Sequence, residues 1–159
     1  MIVNKKCIIS VEIKQDDFNL PTPEVLQEQN LAIYDLKQTN FFQLVGFESY
    51  DEFKLNISLS GNSLVFEVHS KTDKILRTFL LSLTPLRQVI SDYYTICESY
   101  FNAVKRLPID KIESIDMGRK GIHNEGARII KERLEGRIKT DLETSRRIFT
   151  LIYALTYER

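Results

Sequence analysis

The sequence predicts an α+β fold: an N-terminal strand and helix, a three-stranded antiparallel meander, then three helices covering one face of the sheet. Three observations carry this. Apolar residues alternate with a period of two from Phe53 to Leu83, broken by short polar turns, which is the pattern of half-buried strands. Apolar residues then recur at three- and four-residue steps from Leu86 to Val104, the pattern of an amphipathic helix. Finally, Thr22-Pro23, Thr84-Pro85 and Thr140-Asp141-Leu142-Glu143 each read as a helix start.

From the N-terminus, Ile9, Val11 and Ile13 alternate with Ser10 and Glu12, so Cys7 to Ile13 reads as a strand. Asp16 to Pro21 reads as a loop. Thr22 supplies an N-cap, Pro23 fills the one helical position that tolerates proline, and Glu24 suits the helix dipole. A helix is expected to reach about Gln38, with Val25, Ala32 and Leu36 inward and Glu28, Gln29 and Lys37 toward solvent. Asn40 to Tyr50 is aromatic but irregular. Phe53, Leu55, Ile57 and Leu59 then share one face of a strand, Ser60-Gly61-Asn62 turns, Leu64 to Val68 alternates again, and Lys71 to Lys74 turns into Ile75 to Leu83.

Behind Thr84-Pro85, nine apolar positions from Leu86 to Val104 fall in one stripe, read as core packing until Leu107-Pro108 ends the helix. Ile112, Ile115, Ile122, Ile129 and Ile130 continue a helical period toward Gly136, a C-terminal glycine cap. The last helix opens at Thr140 and its body, Ile148 to Leu155, is apolar on nearly every side. Such a helix is either the centre of the core or part of a contact between subunits.

Composition bounds the function. The 159 residues, 43% of them hydrophobic, suit one domain with its own core. The 22 basic and 22 acidic side chains balance, so no long-range field draws the whole molecule to nucleic acid or an anionic membrane. Residues 1–102 nevertheless carry an acidic excess, and residues 103–159 an equal basic one. Two cysteines, Cys7 and Cys97, cannot frame a disulfide scaffold, which points to a reducing cytoplasm. The apolar run at Cys7 to Ser10 is too short for a signal peptide, and no run is long enough to span a membrane.

The densest chemistry lies between Asp116 and Arg133. On an unbroken helix Arg119 falls inside the isoleucine stripe, with Asp116 and His123 within about 60° of its centre. Asp116 precedes Arg119 by three residues and His123 follows it by four, so they are neighbours on the helix surface. A buried arginine without a partner costs roughly several kcal/mol, so Arg119 needs one. Three readings stand. In the first, Asp116 and Arg119 are a structural ion pair, with His123 hydrogen-bonded at the edge of the core. In the second, the cluster faces a cleft and takes an anionic ligand, with Arg119 as fork, His123 as proton donor or acceptor and Asp116 orienting one of them. Asn124 and Arg128 extend that candidate site. In the third, Gly118-Arg119-Lys120-Gly121 is a loop, and Asn124 caps a new helix whose N–H groups meet a phosphate. Glycine costs about 1 kcal/mol in a helix relative to alanine, which weighs on continuity through Gly118, Gly121 and Gly126.

Several familiar chemistries fail on residue type or spacing. His123-Asn124-Glu125 matches half of a zinc deaminase signature, but both cysteines lie upstream. Only His69 and His123 are available to a metal, and no His-Glu-x-x-His exists, so no metal and no cofactor is expected. Ala103 stands where a phosphate loop starting at Cys97 would need arginine. Nucleotide-binding glycine motifs are missing. Arg128, Lys131, Arg133, Arg137, Lys139, Arg146 and Arg147 are interleaved with Glu125, Glu132, Glu135, Asp141 and Glu143, and lack stacking aromatics. They read as a solvated face with pairs such as Arg128 and Glu132, not a nucleic-acid surface.

The wording of four stretches is more specific than their periodicity. Ile96-Cys97-Glu98-Ser99-Tyr100-Phe101, Ala103-Val104-Lys105-Arg106-Leu107-Pro108, Gly121-Ile122-His123-Asn124-Glu125-Gly126-Ala127-Arg128 and Glu132-Arg133-Leu134-Glu135-Gly136 closely resemble a small uncharacterised protein family of alphaproteobacteria. The likeness runs from about Ile9 to Phe149. Gly118 and Ser145 stand where that family looks to carry alanine, which implies an ordinary helix at Gly118. The resemblance implies a bacterial cytoplasmic protein of one domain and brings no activity, substrate or catalytic residue.

Two functions are therefore carried forward. The leading one is a non-enzymatic binding or adaptor domain acting through a protein partner or as a homo-oligomer, using the C-terminal helix. The alternative is a small enzyme or ligand-binding protein acting on an anionic metabolite through Asp116, Arg119, His123 and Asn124.

Overall fold

The computed structural model describes residues 6–14 and 20–157, so most of the loop expected from Asp16 lies outside the described residues. The expected N-terminal elements are β1 (Cys7–Ile13) and α1 (Pro23–Gln38). Thr22 caps α1, its side-chain oxygen accepting from the Val25 amide at 3.3 Å. The inward positions of α1 are Val25, Gln29, Ala32 and Leu36. Gln29 thus faces inward, contrary to its polarity, because it lies four residues from Val25 and three from Ala32 on the same stripe.

The meander is β3 (Glu52–Ser60), β4 (Ser63–Ser70) and β5 (Ile75–Ser82), with β1 added in parallel beside β3. Phe53, Leu55 and Ile57 of β3 share the buried face with Leu64, Phe66 and Val68 of β4 and with Phe79 and Leu81 of β5. Phe66 and Phe79 stack across the strands with ring centroids 5.2 Å apart. The irregular stretch after Asn40 holds β2 (Phe42–Leu44), which pairs antiparallel with β6 (Ile138–Thr140). Nothing in the residue pattern announces this ribbon, because three residues hold too few alternations to establish a period.

Thr84–Leu86 is a 3-10 turn, and α2 (Arg87–Arg106) follows it without a side-chain cap. Thr84 is therefore not the expected cap; its hydroxyl instead accepts from the Asn62 side chain at 2.9 Å, tying the turn to the β3–β4 hairpin. The stripe of α2 buries Val89, Ile90, Tyr93 and Cys97, but at its far end Ala103 is covered and Val104 is exposed.

Helix α3 (Ile109–Leu134) is continuous through Gly118 and Gly121, which removes the loop reading and with it the new helix capped by Asn124. It stops at Gly136, whose φ of +86° is the left-handed conformation that glycine adopts after a helix. At Gly126 an added Cβ would lie 2.4 Å from the Phe149 ring, so only glycine permits this approach of α3 to α4 (Leu142–Thr156).

Asp141, not Thr140, caps α4: its carboxylate accepts from the Thr144 amide at 2.8 Å. Thr140 belongs to β6, and its hydroxyl bonds the Ser145 hydroxyl at 2.7 Å. The cap is thus displaced by one residue, and no reciprocal box forms, since the Thr144 hydroxyl accepts from the Phe41 amide at 2.9 Å. Every side chain from Ile148 to Thr156 is buried, with α1 and α3 on the flanks of α4 and β3 against it. Of the two roles open to an all-apolar helix, α4 takes the centre of the core. Each fully buried Leu, Ile or Phe there contributes about 1.5–3 kcal/mol relative to exposure.

Candidate functional site

A cavity of about 210 Å³ lies where the four helices meet. Because each helix also buries an apolar stripe, the polar residues bordering those stripes are carried inward together. Helix α1 supplies Glu28 and Asp35, α2 supplies Tyr93, α3 supplies Arg119, Lys120 and His123, and α4 supplies Arg146, Arg147 and Thr150.

The α3 ion pair is present. Asp116 Oδ1 accepts from Arg119 Nη2 at 2.6 Å and from Nε at 3.1 Å, while Oδ2 is 3.2 Å from Lys120 Nζ. These partners hold the Asp116 carboxyl below the usual carboxylate range, Arg119 foremost. The Arg119 guanidinium lies 4.3 Å from the centre of the Tyr100 ring, and its Nη1 is 3.9 Å from Glu28 Oε1. The Tyr93 hydroxyl donates to that same Glu28 oxygen at 2.7 Å. Burial pushes the Glu28 carboxyl above its ordinary value, and the Tyr93 hydrogen bond and Arg119 oppose this only in part. Burial likewise holds Tyr93 protonated, raising its phenol far above the usual value.

His123 sits edge-on to Tyr93 and Phe149, with ring centroids 5.3 and 5.2 Å away. Its Nε2 is 2.7 Å from Thr150 Oγ1, and the Thr150 hydroxyl donates to the Arg146 carbonyl at 3.3 Å. The direction of the His123–Thr150 bond is set by which ring nitrogen carries the hydrogen. Burial drives His123 down to about 4, helped by Arg146, Arg147 and Arg119. At neutral pH the ring is therefore uncharged, and Nδ1 is buried with no hydrogen-bond partner among the described residues. Arg146 Nε is likewise buried and unpartnered, although its Nη1 donates to Asn124 Oδ1 at 2.8 Å. Arg147 lies 3.3 Å from Asp35 and 3.6 Å from Glu143.

Of the five residues singled out in the sequence, Arg119 and His123 line the cavity. Asp116 and Asn124 hold its cations from the side, through Arg119, Lys120 and Arg146. Arg128 is not brought to it: the residue is exposed and paired with Glu125, not Glu132. Glu28, Tyr93, Arg146 and Arg147 carry no mark in the sequence reading, which set Glu28 in solvent and the two arginines on a solvated face. One signal was available, since Arg146-Arg147 directly precedes the apolar body that begins at Ile148. Among the described residues, no three His, Cys, Asp or Glu side chains gather as metal ligands.

In chemical terms the wall holds four cations, Arg119, Lys120, Arg146 and Arg147, against two carboxylates, Glu28 and Asp35. Guanidinium forks bind carboxylate or phosphate oxygens, and Tyr93 holds a proton beside them. The cavity is below the roughly 300–1,000 Å³ typical of sites for drug-sized molecules, so its scale is that of a ligand with few heavy atoms.

Fold and site together define an α+β protein with a small, open cavity lined by cations from its helices. The chain belongs to the uncharacterised protein family UPF0262, whose model matches residues 5–158. It is 49% identical over 152 residues to a UPF0262 protein of Cereibacter sphaeroides, covering 93% of this chain and 96% of the relative. A relative from Ruegeria pomeroyi is 48% identical over 151 residues, covering 91% and 94%. One from Bradyrhizobium is 41% identical over 151 residues, covering 95% and 90%. No solved structure gives a significant match. No helix among the described residues is long and apolar enough to cross a membrane.

Proposed function

We propose that this chain binds a small anionic metabolite, bearing a carboxylate or phosphate, in the cavity between the four helices. The observation that carries this is the convergence of Arg119, Lys120, Arg146 and Arg147 on one small cavity whose wall holds only two carboxylates. Three of these cations are arginines with side chains less than a third exposed, each fixed by a neighbour: Arg119 by Asp116, Arg146 by Asn124 and Arg147 by Asp35. Arginines held in this way lose little freedom on meeting a ligand, which favours binding. We place this activity in the cytoplasm, in keeping with the two-cysteine composition.

A role exercised through a protein partner or self-association drew its support from the apolar last helix. The apolar side chains in the body of α4 are covered within the chain, so a partner or second copy would need another surface. The basic C-terminal stretch adds little for nucleic acid, since Arg128 is matched by Glu125 and Arg147 by Asp35 and Glu143.

The test is a thermal-shift series with acetate, lactate, succinate, citrate and inorganic phosphate. A ligand at 100 times its Kd stabilises by about 2.7 kcal/mol, roughly 5–10 °C in Tm for a chain of this size. At least one of the five should raise Tm, and Arg147→Met should remove the response while remaining folded. If none raises Tm, or if Arg147→Met responds like the parent, the cavity is not the site.

A further inference from the structure

Glu28 is the one carboxylate of the cavity wall with no cation at hydrogen-bond distance among the described residues. Its Oε1 accepts the Tyr93 hydroxyl, and the nearest guanidinium nitrogen, Arg119 Nη1, stands 3.9 Å away because Nε and Nη2 are turned onto Asp116. Asp35, by contrast, is held by Arg147 at 3.3 Å. A carboxylate ligand seeking Arg119 from inside the cavity therefore arrives beside Glu28, and two carboxylates sharing one small site cannot both stay ionised without strong repulsion. We propose that Glu28 holds the ligand as a neutral carboxylic acid, so that each carboxylate bound takes one proton from solvent into the cavity. This rests on the anion-binding reading above and specifies how that site works.

The balance of atoms is simple. The proton adds to Oε2, while Oε1 keeps accepting from Tyr93 O–H, a bond that a neutral carbonyl oxygen accepts more weakly than an ionised one. The new O–H donates to a ligand oxygen, replacing repulsion with a charge-assisted hydrogen bond, while Arg119 Nη1 faces the same anion. No bond other than O–H forms, and no other group changes its charge. Burial at the cavity wall already displaces Glu28 toward the protonated state before any ligand arrives.

The surrounding groups leave Glu28 as the one to respond. On α2, burial keeps Tyr93 protonated and raises the Cys97 thiol to about 12. On α3, Arg119 and Lys120 are tied to Asp116, and His123 has been driven down to about 4. On α4, Arg146 and Arg147 supply fixed positive charge, with Asp35 of α1 committed to Arg147.

The experiment uses the full chain, with succinate and inorganic phosphate as probes. Isotope-edited NMR of the Glu28 carboxyl carbon gives its titration midpoint with and without succinate. Titration calorimetry near pH 7, in two buffers of different ionisation heat, counts the protons taken up. Succinate should raise the Glu28 midpoint by about two pH units or more, across pH 7, and bring in most of one proton. Glu28→Gln keeps the acceptor for Tyr93 and imitates the neutral acid. It should bind succinate about tenfold more tightly than the parent at pH 8, with no dependence on pH from 6.5 to 8.5. Succinate binding with an unmoved Glu28 midpoint, or without proton uptake, overturns the inference and leaves the anion site standing. If neither succinate nor phosphate binds the parent or Glu28→Gln, the anion site itself falls. The NMR measurement on the parent decides the matter even if the variant does not fold.

Discussion

The Tyr93 hydroxyl and the Glu28 carboxyl meet at 2.7 Å, joining α2 to α1 at the wall of the cavity. Tyr93 also packs edge-on against His123, Phe149 and Tyr153, so one side chain touches three of the helices around it. Tyr93→Phe keeps that packing and removes only the donor. Loss of one partner from a half-buried pair costs about 1–2 kcal/mol, read as a lower urea midpoint. Without its donor, the Glu28 carboxyl should titrate still higher than in the parent. An unchanged urea midpoint and an unmoved Glu28 titration would mean that this hydrogen bond is not formed in solution.

His123 makes stability depend on pH in a definite direction. Its folded-state pKa, about 4, lies below the ordinary 6.5, so the folded protein resists protonation that the unfolded chain accepts. The associated stability is present above pH 6.5 and is lost as pH falls from there toward 4, by up to about 3 kcal/mol. Glu28, with its raised pKa, acts in the opposite sense, so the contribution is isolated by comparing the parent with His123→Gln. Urea midpoints at pH 7, 5.5 and 4 should fall more steeply for the parent than for the variant. Parallel curves would contradict the neutral, buried imidazole.

Two glycines of α3 should respond oppositely to alanine. A Cβ at Gly118 meets only Ile96 Cδ1, at 2.9 Å, the flexible end of a side chain that can rotate away. Gly118→Ala should therefore stabilise by up to about 1 kcal/mol through helix propensity. At Gly126 the added carbon runs into a fully buried Phe149 ring, and Gly126→Ala should cost about 1–3 kcal/mol. Thermal melts of the two variants give the comparison, and equal shifts would refute the close α3–α4 contact.

The cap of α4 is a further discriminating site. Asp141→Ala should destabilise by about 1 kcal/mol, and Asp141→Asn by much less, since an amide oxygen can accept from the Thr144 amide as well. Equal losses in urea denaturation would show that the charge of Asp141 matters more than its hydrogen bond.

Long periodic segments were legible from residue pattern alone, and short or tertiary ones were not. The strands from Phe53 onward and the stripe of α2 each repeat several times, so their periods are unambiguous. β2 and β6 contain three residues each and exist because they pair with one another across nearly a hundred residues. Gln29 was misplaced because the backbone sets its direction regardless of polarity. The same division governs the cavity. Asp116, Arg119 and His123 lie within two turns of one helix, so their neighbourhood follows from spacing. Glu28, Tyr93, Arg146 and Arg147 come from three other helices, and only packing brings them together. Spacing within α3 also accounts for Arg128, which lies five residues and so about 140° round the helix from His123 and faces outward.

The central position of α4 has a consequence for synthesis. A ribosome adds residues in order, and this helix emerges after every other described element, although α1, α3 and β3 all rest on it. Until it appears, the inner face of α1 and the hydrophobic side of the meander lack the helix they close upon in the centre of the core. Contacts so distant in sequence form slowly, and they leave apolar surface open while they are awaited. The nascent chain should therefore remain protease-sensitive and attractive to chaperones until residues 142–156 clear the exit tunnel, then acquire protection in a single late step.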